Sequence, residues 1–194
     1  MDLPPLAVLR HGETDWNVAG RMQGRLDSPL TPKGIEQARR QQMLAQGFLT
    51  SDWHIWSSPQ PRALHTAAIV AAGSPCWVRT DDRLAEIDVD DWAGLRRSDI
   101  KARVDHTRQT PTTGLDYYDQ TPGETFEQLR DRCFQFLQQL DRPTMIVTHG
   151  ITSRMLRLVA LDKETFEISH LPGGQGVIHW VKDGQAHVLS DGSA

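Results

Sequence analysis

Apolar residues along this chain fall into short continuous runs and, between them, longer stretches of helical spacing, and that alternation predicts strands of a buried sheet joined by helices. The first run, Leu6-Ala7-Val8-Leu9, stops on Arg10, His11 and Gly12, as a buried strand does where it emerges into a loop. Residues 20–30 are rich in turn formers and read as loop. Thr31-Pro32 puts a hydroxyl at an N-cap and proline at the first helical position. This predicts a helix to about Gly47 with Arg39-Arg40 on its solvated face. Residues 53–57 suit a short strand. Ser58-Pro59 reads as a second cap, with a helix beginning there, carrying Arg62 in its first turn and ending near Gly73. Residues 76–80 read as a strand and 81–94 as a long acidic loop. Phe126, Leu129, Cys133, Phe136, Leu137 and Leu140 recur at helical spacing behind Thr121-x-x-Glu124, a predicted capping box. Residues 143–148 repeat the opening design, an apolar strand ending on His149-Gly150, before a helix with Ile151, Met155, Leu158 and Val159 on one face. The runs flanking Asp183-Gly184 predict a hairpin. Residues 96–121 are irregular: a basic helical piece with Arg96, Arg97, Lys101 and Arg103 leads into Thr110–Gly114 and Tyr117-Tyr118, which reads as a short cap-like insertion. No internal repeat or low-complexity segment interrupts this order.

Three predicted strand-to-helix junctions carry polar residues, at His11, Arg62 and His149. Ligand crevices in open α/β sheets lie beyond the carboxyl ends of strands, so one crevice can collect all three. An arginine fork matches phosphate, a histidine is a neutral nucleophile near pH 7, and Asn17 adds an uncharged donor. Gly12 permits a sharp turn or close approach to a ligand. Arg62 at the positive end of a helix opposes its dipole, a small cost unless something anionic binds beside it. A dipeptide such as Arg10-His11 alone reads only as a strand reaching solvent; the combination points to phosphate.

The string Arg10-His11-Gly12-Glu13-Thr14-x-Trp16-Asn17 closely resembles the signature of the histidine phosphatase superfamily. Residues 57–67 resemble its second motif, with Gln60 where leucine is usual. Leu84-x-Glu86, with Trp92 and Gly94 beyond, is similar to its acid motif, with Asp90 in place of a common glycine and Ala93 in place of a glutamate. Thr148-His149-Gly150 resembles the last motif, with Ile151 for its second glycine, and Arg154 matches an arginine often found in the family. The resemblance spans residues 8 to 154. It implies a three-layer phosphoglycerate mutase-like α/β fold, a mainly parallel sheet with helices on both faces, over one domain. It also implies a metal-independent phosphatase without cofactor, acting on a small phosphorylated substrate: a sugar phosphate, α-ribazole phosphate, nucleotide or phosphoamino acid. In the implied roles His11 takes the phosphoryl group, while Arg10, Asn17, Arg62 and His149 hold its oxygens. Glu86 is the general acid, with Asp88 the second choice. Thr14, Gln23, Gly24 and Arg154 are candidate substrate contacts. Arg96, Arg97, Lys101 and Arg154 fit either the second anion site of a mutase or selection of a substrate with two acidic groups.

Composition narrows this picture. The 194 residues, 38% hydrophobic, can bury a sizeable core in one domain. A net charge of -4 gives no basic footprint for nucleic acid. Cys76 and Cys133 lack metal-type spacing and suit a reducing compartment. With no membrane-length apolar run and no leader pattern, the expectation is a cytoplasmic protein. Oligomeric state leaves no mark on the sequence. The eight histidines show neither His-x-His nor His-Glu-x-x-His spacing, so a metallohydrolase is disfavoured. A cofactor-dependent phosphoglycerate mutase and a phosphate-binding regulator weakened at Asp90, Ala93 and Ile151 remain as alternatives. The short insertion, open to water, favours hydrolysis over mutase chemistry.

Overall fold

The computed structural model describes residues 1–102, 115, 118 and 120–192. Its six-stranded sheet comprises β1 (Leu6–Arg10), β2 (His54–Ser57), β3 (Val78–Thr80), β4 (Thr144–Thr148), β5 (Ile178–Lys182) and β6 (Gln185–Leu189), in the order β3-β2-β4-β1-β5-β6. The four strands from β3 to β1 are mutually parallel, and β5 and β6 continue the sheet antiparallel. The helices are α1 (Asp15–Val18), α2 (Pro32–Ala45), α3 (Pro61–Ala71), α4 (Arg97–Lys101), α5 (Phe126–Leu137) and α6 (Gly150–Ala160).

Alternate side chains of one strand enter opposite cores, which is why β1 is apolar from Leu6 to Leu9 and β4 from Met145 to Val147. Leu6, Val8 and Ile146 join Leu129, Phe136, Met155 and Leu158 beneath α5 and α6. Ala7, Leu9, Met145 and Val147 join Ala45, Ala63 and Ala67 beneath α2 and α3. Small residues on α3, Ala63 and Ala67, bring that helix close to β2 and β4, and α2 packs chiefly against α3. The expected three-layer α/β arrangement results, and each fully buried leucine or isoleucine contributes about 1.5–3 kcal/mol. The Asp183-Gly184 turn has both residues at positive φ, 51° and 70°, as a two-residue hairpin turn requires.

Two local expectations are corrected. The helix after β2 begins at Pro61, with Gln60 as N-cap, and not at Ser58-Pro59. The Ser58 hydroxyl is engaged elsewhere, by the Gln60 N–H and by His149. The capping box of α5 is Thr125 with Gln128, not Thr121 with Glu124. Thr121 instead donates to the Asp88 carbonyl, and Glu124 is paired with Arg132. Leu140 lies beyond the end of α5. The acidic loop contains two 3-10 turns, Asp82–Leu84 and Asp90–Trp92. Of the insertion, α4 bears out the basic helical piece, while Arg103, residues 110–114 and Tyr117 fall outside the described residues. Among the described residues no helix is long and apolar enough to cross a membrane.

Candidate active site

Because β2, β4 and β1 are adjacent and parallel, their carboxyl ends open on one place, and the loops that leave them deliver Arg62, His149 and the pair Arg10-His11 to it. A cleft of about 180 Å³ lies there. Arg10, His11, Asn17, Gln23, Gly24, Arg62, Glu86 and Arg154 line it, as do Met22, Val89, Arg97, Leu115, Tyr118, Gly150 and Ile151. Of the candidate residues, Thr14 and His149 are fully buried and sit off the lining. Thr14 receives the Gln23 amide at 3.0 Å and forms the capping box of α1 with Asn17, so it fixes two residues that do line the cleft. Asp88 borders a separate, open depression, leaving Glu86 as the acidic side chain among the described lining residues of the cleft.

His11 is held as a neutral base. Its Nδ1 lies 2.7 Å from the Gly12 carbonyl, which can only accept, so the proton is assigned to Nδ1 and the lone pair to Nε2. Arg62 Nε donates toward that lone pair at 3.2 Å. Burial drives the His11 pKa well below its ordinary value, with Arg10 and Arg62 pushing the same way. The His149 ring stands edge-on to it, centroids 5.2 Å apart, and is likewise held neutral by burial and by Arg62. A side chain on Gly12 would run into the backbone of Gly34 in the first turn of α2. Its N–H donates to Thr66 at 3.1 Å, tying the loop to α3. Gln175, far away in sequence, donates to the His11 carbonyl at 3.1 Å and to Asn17 Oδ1 at 3.2 Å.

The anion expected beside Arg62 is Asp27. Its Oδ1 accepts from the Arg62 backbone N–H at 3.2 Å and from Nη1 at 2.9 Å, so one carboxylate satisfies the helix start and the guanidinium together. Nη2 donates to the Gly24 carbonyl at 3.0 Å. Burial lowers the Arg62 pKa, and Asp27 and Glu86 offset part of that effect.

Glu86 is fixed across the start of α6. Oε1 accepts from the N–H groups of Ile87 and Thr152 at 3.0 and 3.1 Å and lies 3.0 Å from the Thr152 hydroxyl, which also faces the Ala85 carbonyl. Among the described residues Oε2 accepts only from the Ile151 N–H, at 3.2 Å, and it is the oxygen with capacity left for a substrate. The carboxylate thus serves as the cap that His149, at the N-cap position, does not provide.

The remaining cations are less satisfied. None of the ion pairs among the described residues involves Arg10, Arg97 or Arg154. Arg10 Nε, Arg97 Nε and His149 Nδ1 are buried with no hydrogen-bond partner among the described residues. Burial lowers the Arg10 pKa; Glu86 and Tyr118 oppose this, while Arg97 and Arg154 add to it. A cluster of buried donors in repulsion is a site arranged for an anion. Among the described residues no group of three or more His, Cys, Asp or Glu is placed to hold a metal ion.

The family model of the histidine phosphatase superfamily (branch 1) matches residues 6–187. The chain belongs to this superfamily. It is 35% identical over 151 residues to a protein of Proteus mirabilis named as a probable phosphoglycerate mutase, covering 74% of this chain and 68% of that one. Among solved structures it resembles YhfR of Bacillus stearothermophilus, with TM-score 0.78 and 30% identity over 98% of both chains. It also resembles the mycobacterial glucosyl-3-phosphoglycerate phosphatase, with TM-score 0.78 and 28% identity over 97% of both chains.

The departures from the superfamily motifs are accommodated. Asp90 adopts φ 43°, the left-handed conformation that favours glycine and that aspartate tolerates, and its N–H is taken by Asp88 Oδ1 at 2.9 Å. Ile151 is buried and forms part of the cleft wall, while its N–H still reaches Glu86. Ala93 packs partly buried against the core. Gln60 gains contacts: its amide donates to the Gly24 carbonyl at 2.9 Å and its oxygen accepts the Glu86 N–H at 2.7 Å. Replacing it with leucine strands the Glu86 N–H, while the Gly24 carbonyl keeps Arg62 Nη2, so Gln60→Leu should lose about 1–3 kcal/mol of stability. With Glu86 less firmly held, kcat should fall several-fold more for alkyl phosphates than for p-nitrophenyl phosphate. Thermal unfolding and the two kcat values measured side by side check this; equal kcat losses would assign Gln60 to stability alone.

Proposed function

We propose that this protein hydrolyses small phosphomonoesters through a phosphohistidine on His11. The observation that carries the reading is the fixed tautomer: Gly12 holds the proton on Nδ1, leaving Nε2 as a neutral nucleophile at the cleft among Arg10 and Arg62. When an ester enters, the Arg62 donor facing Nε2 turns to a phosphoryl oxygen and frees the lone pair. Arg10 and Arg62 take the oxygens of the transferring group, Asn17 completes the cradle, and His149 backs the His11 ring from behind the lining. Nε2 bonds to phosphorus as the ester P–O bond breaks, and its electron pair leaves on the alkoxide oxygen. Protonated Glu86 supplies the proton from Oε2. The positive charge on the phosphorylated ring is shared through Nδ1–H with the Gly12 carbonyl. Water then attacks phosphorus as Glu86 removes its proton, and the P–N electrons return to Nε2.

Superfamily membership and the phosphatase among its structural neighbours support a phosphomonoester hydrolase, and the cleft is smaller than most drug-sized pockets, as a small ester requires. The phosphoglycerate mutase alternative draws support from the Proteus relative. Given 3-phosphoglycerate with catalytic 2,3-bisphosphoglycerate, the protein should release phosphate faster than it forms 2-phosphoglycerate. Efficient isomerisation with little phosphate would overturn the hydrolase reading. The arginines supply the charge that a metal gives other phosphatases, so dialysis against EDTA should leave the rate unchanged. Loss of activity restored by one divalent ion would count against the mechanism.

A further inference from the structure

We infer that Gln175, in the loop that precedes β5, is a positioning residue: it holds the His11 main chain and Asn17 together and keeps the Asn17 amide turned to donate to the phosphoryl group. This rests on the phosphatase reading and adds to it a residue beyond the motif strings, which end at Arg154.

The Gln175 amide nitrogen has two protons, and both are engaged here, one on the His11 carbonyl at 3.1 Å and the other on Asn17 Oδ1 at 3.2 Å. Two contacts of fixed sense orient both amides. The His11 carbonyl can only accept, so the end of Gln175 that faces it is Nε2. The Thr14 N–H can only donate, at 3.2 Å, so the end of Asn17 that faces it is Oδ1. With Oδ1 accepting from both Thr14 and Gln175, Asn17 has its Nδ2 donor left for the cleft it lines. A phosphoryl oxygen needs that donor. Turned over, the same side chain would set a carbonyl dipole against a dianion.

His11 is held from the same side. The ladder between β1 and β5 ends at Val8 and His179, so the carbonyls of Arg10 and His11 lie past its last rung. Glutamine amides take both: Gln41 Nε2 donates to the Arg10 carbonyl and to the Val177 carbonyl, each at 3.0 Å, and Gln175 takes the carbonyl that follows. The His11–Gly12 peptide is thereby fixed at each end, by Gln175 at its carbonyl and by the Thr66 hydroxyl at its N–H. The Gly12 carbonyl that sets the imidazole tautomer is the next group along the chain. Gly174 and Gly176 flank Gln175 at φ 129° and 77°, conformations that L side chains rarely adopt. A side chain on Gly176 would also press on Gln37, which accepts the Glu13 N–H at 2.8 Å.

The test compares Gln175→Met, Gln175→Glu, Asn17→Ala and the Gln175→Met, Asn17→Ala double variant on p-nitrophenyl phosphate and glycerol 1-phosphate, with orthovanadate binding followed by calorimetry. Methionine keeps the length without donors, and glutamate keeps the shape with acceptors in their place. Gln175 sits half-buried in a loop, so neither change disturbs the core. The ratio kcat/KM should fall about tenfold for Gln175→Met and about a hundredfold for Gln175→Glu. Each variant should lose the same factor on both esters, because the defect lies at the phosphoryl group and not at the leaving oxygen. In Asn17→Ala protein, adding Gln175→Met should cost about threefold or less, since most of its effect passes through Asn17. Vanadate affinity should follow the same pattern. If Gln175→Met keeps full kcat/KM, or loses as much without Asn17 as with it, the inference is overturned, while turnover by the unaltered protein leaves the phosphatase reading standing. If the unaltered protein hydrolyses neither ester yet binds vanadate, the phosphatase reading falls. Non-additive losses of vanadate affinity at Gln175 and Asn17 then uphold the inference, and additive losses overturn it. If the protein neither hydrolyses an ester nor binds vanadate, both fall.

Discussion

His11→Ala should lose turnover of any phosphomonoester by about four orders of magnitude or more, the scale seen when a covalent nucleophile is removed. Rapid quench of the unaltered protein with labelled ester should trap a phosphoenzyme that is labile in acid and stable in base, and the variant should form none. The buried setting adds a pH expectation. Because burial, Arg10 and Arg62 hold His11 well below the ordinary histidine range, the nucleophile stays unprotonated as pH falls through 6.5. The single-turnover rate of phosphoenzyme formation should therefore show no loss of active nucleophile at that pH. The same shift has a cost in stability: below about pH 6.5 the unfolded chain takes up protons that the buried imidazoles of His11 and His149 refuse. His179, also pushed down by burial to about 3, adds to this. Folding stability should thus decline on acidification by up to roughly 1.4 kcal/mol per histidine per pH unit. Phosphate transfer to the protein that survives His11→Ala would assign the nucleophile elsewhere.

Glu86→Gln should slow alkyl phosphates by roughly a hundredfold or more while affecting p-nitrophenyl phosphate far less, because nitrophenolate leaves without a proton. The amide is close in shape, and its carbonyl can keep the three donors that Oε1 now accepts. Only the Ile151 N–H contact at Oε2 is put at risk, about 1 kcal/mol by the usual worth of a hydrogen bond. The melting temperature should therefore change little, and the kinetic loss reports on proton transfer. Equal slowing of both esters would remove Glu86 from that role, and Asp88→Asn would then be the variant to measure.

These two residues show how far the sequence reaches. Periodicity alone placed β1, β4, α6 and the hairpin, because each is a local pattern: buried on both faces, amphipathic, or turned at a residue pair able to adopt positive φ. The motif strings placed His11, Arg10, Arg62 and Glu86 in the cleft, since chemistry at strand ends is carried by short contiguous segments. What the sequence left open are pairings between loops, which have no period. Asp27 with Arg62, Gln60 with Glu86 and Gln175 with His11 join segments that are brought together only when β1, β4 and β2 line up in parallel. Local capping signals failed for the same reason. The Ser58 and Thr121 hydroxyls had stronger calls on them from His149 and the Asp88 carbonyl than from the helix beside them. Gly12 serves a backbone contact with Gly34 that neither segment announces. A residue's type states which bonds it can make; the tertiary structure decides which partner is near enough, and buried deeply enough, to take them.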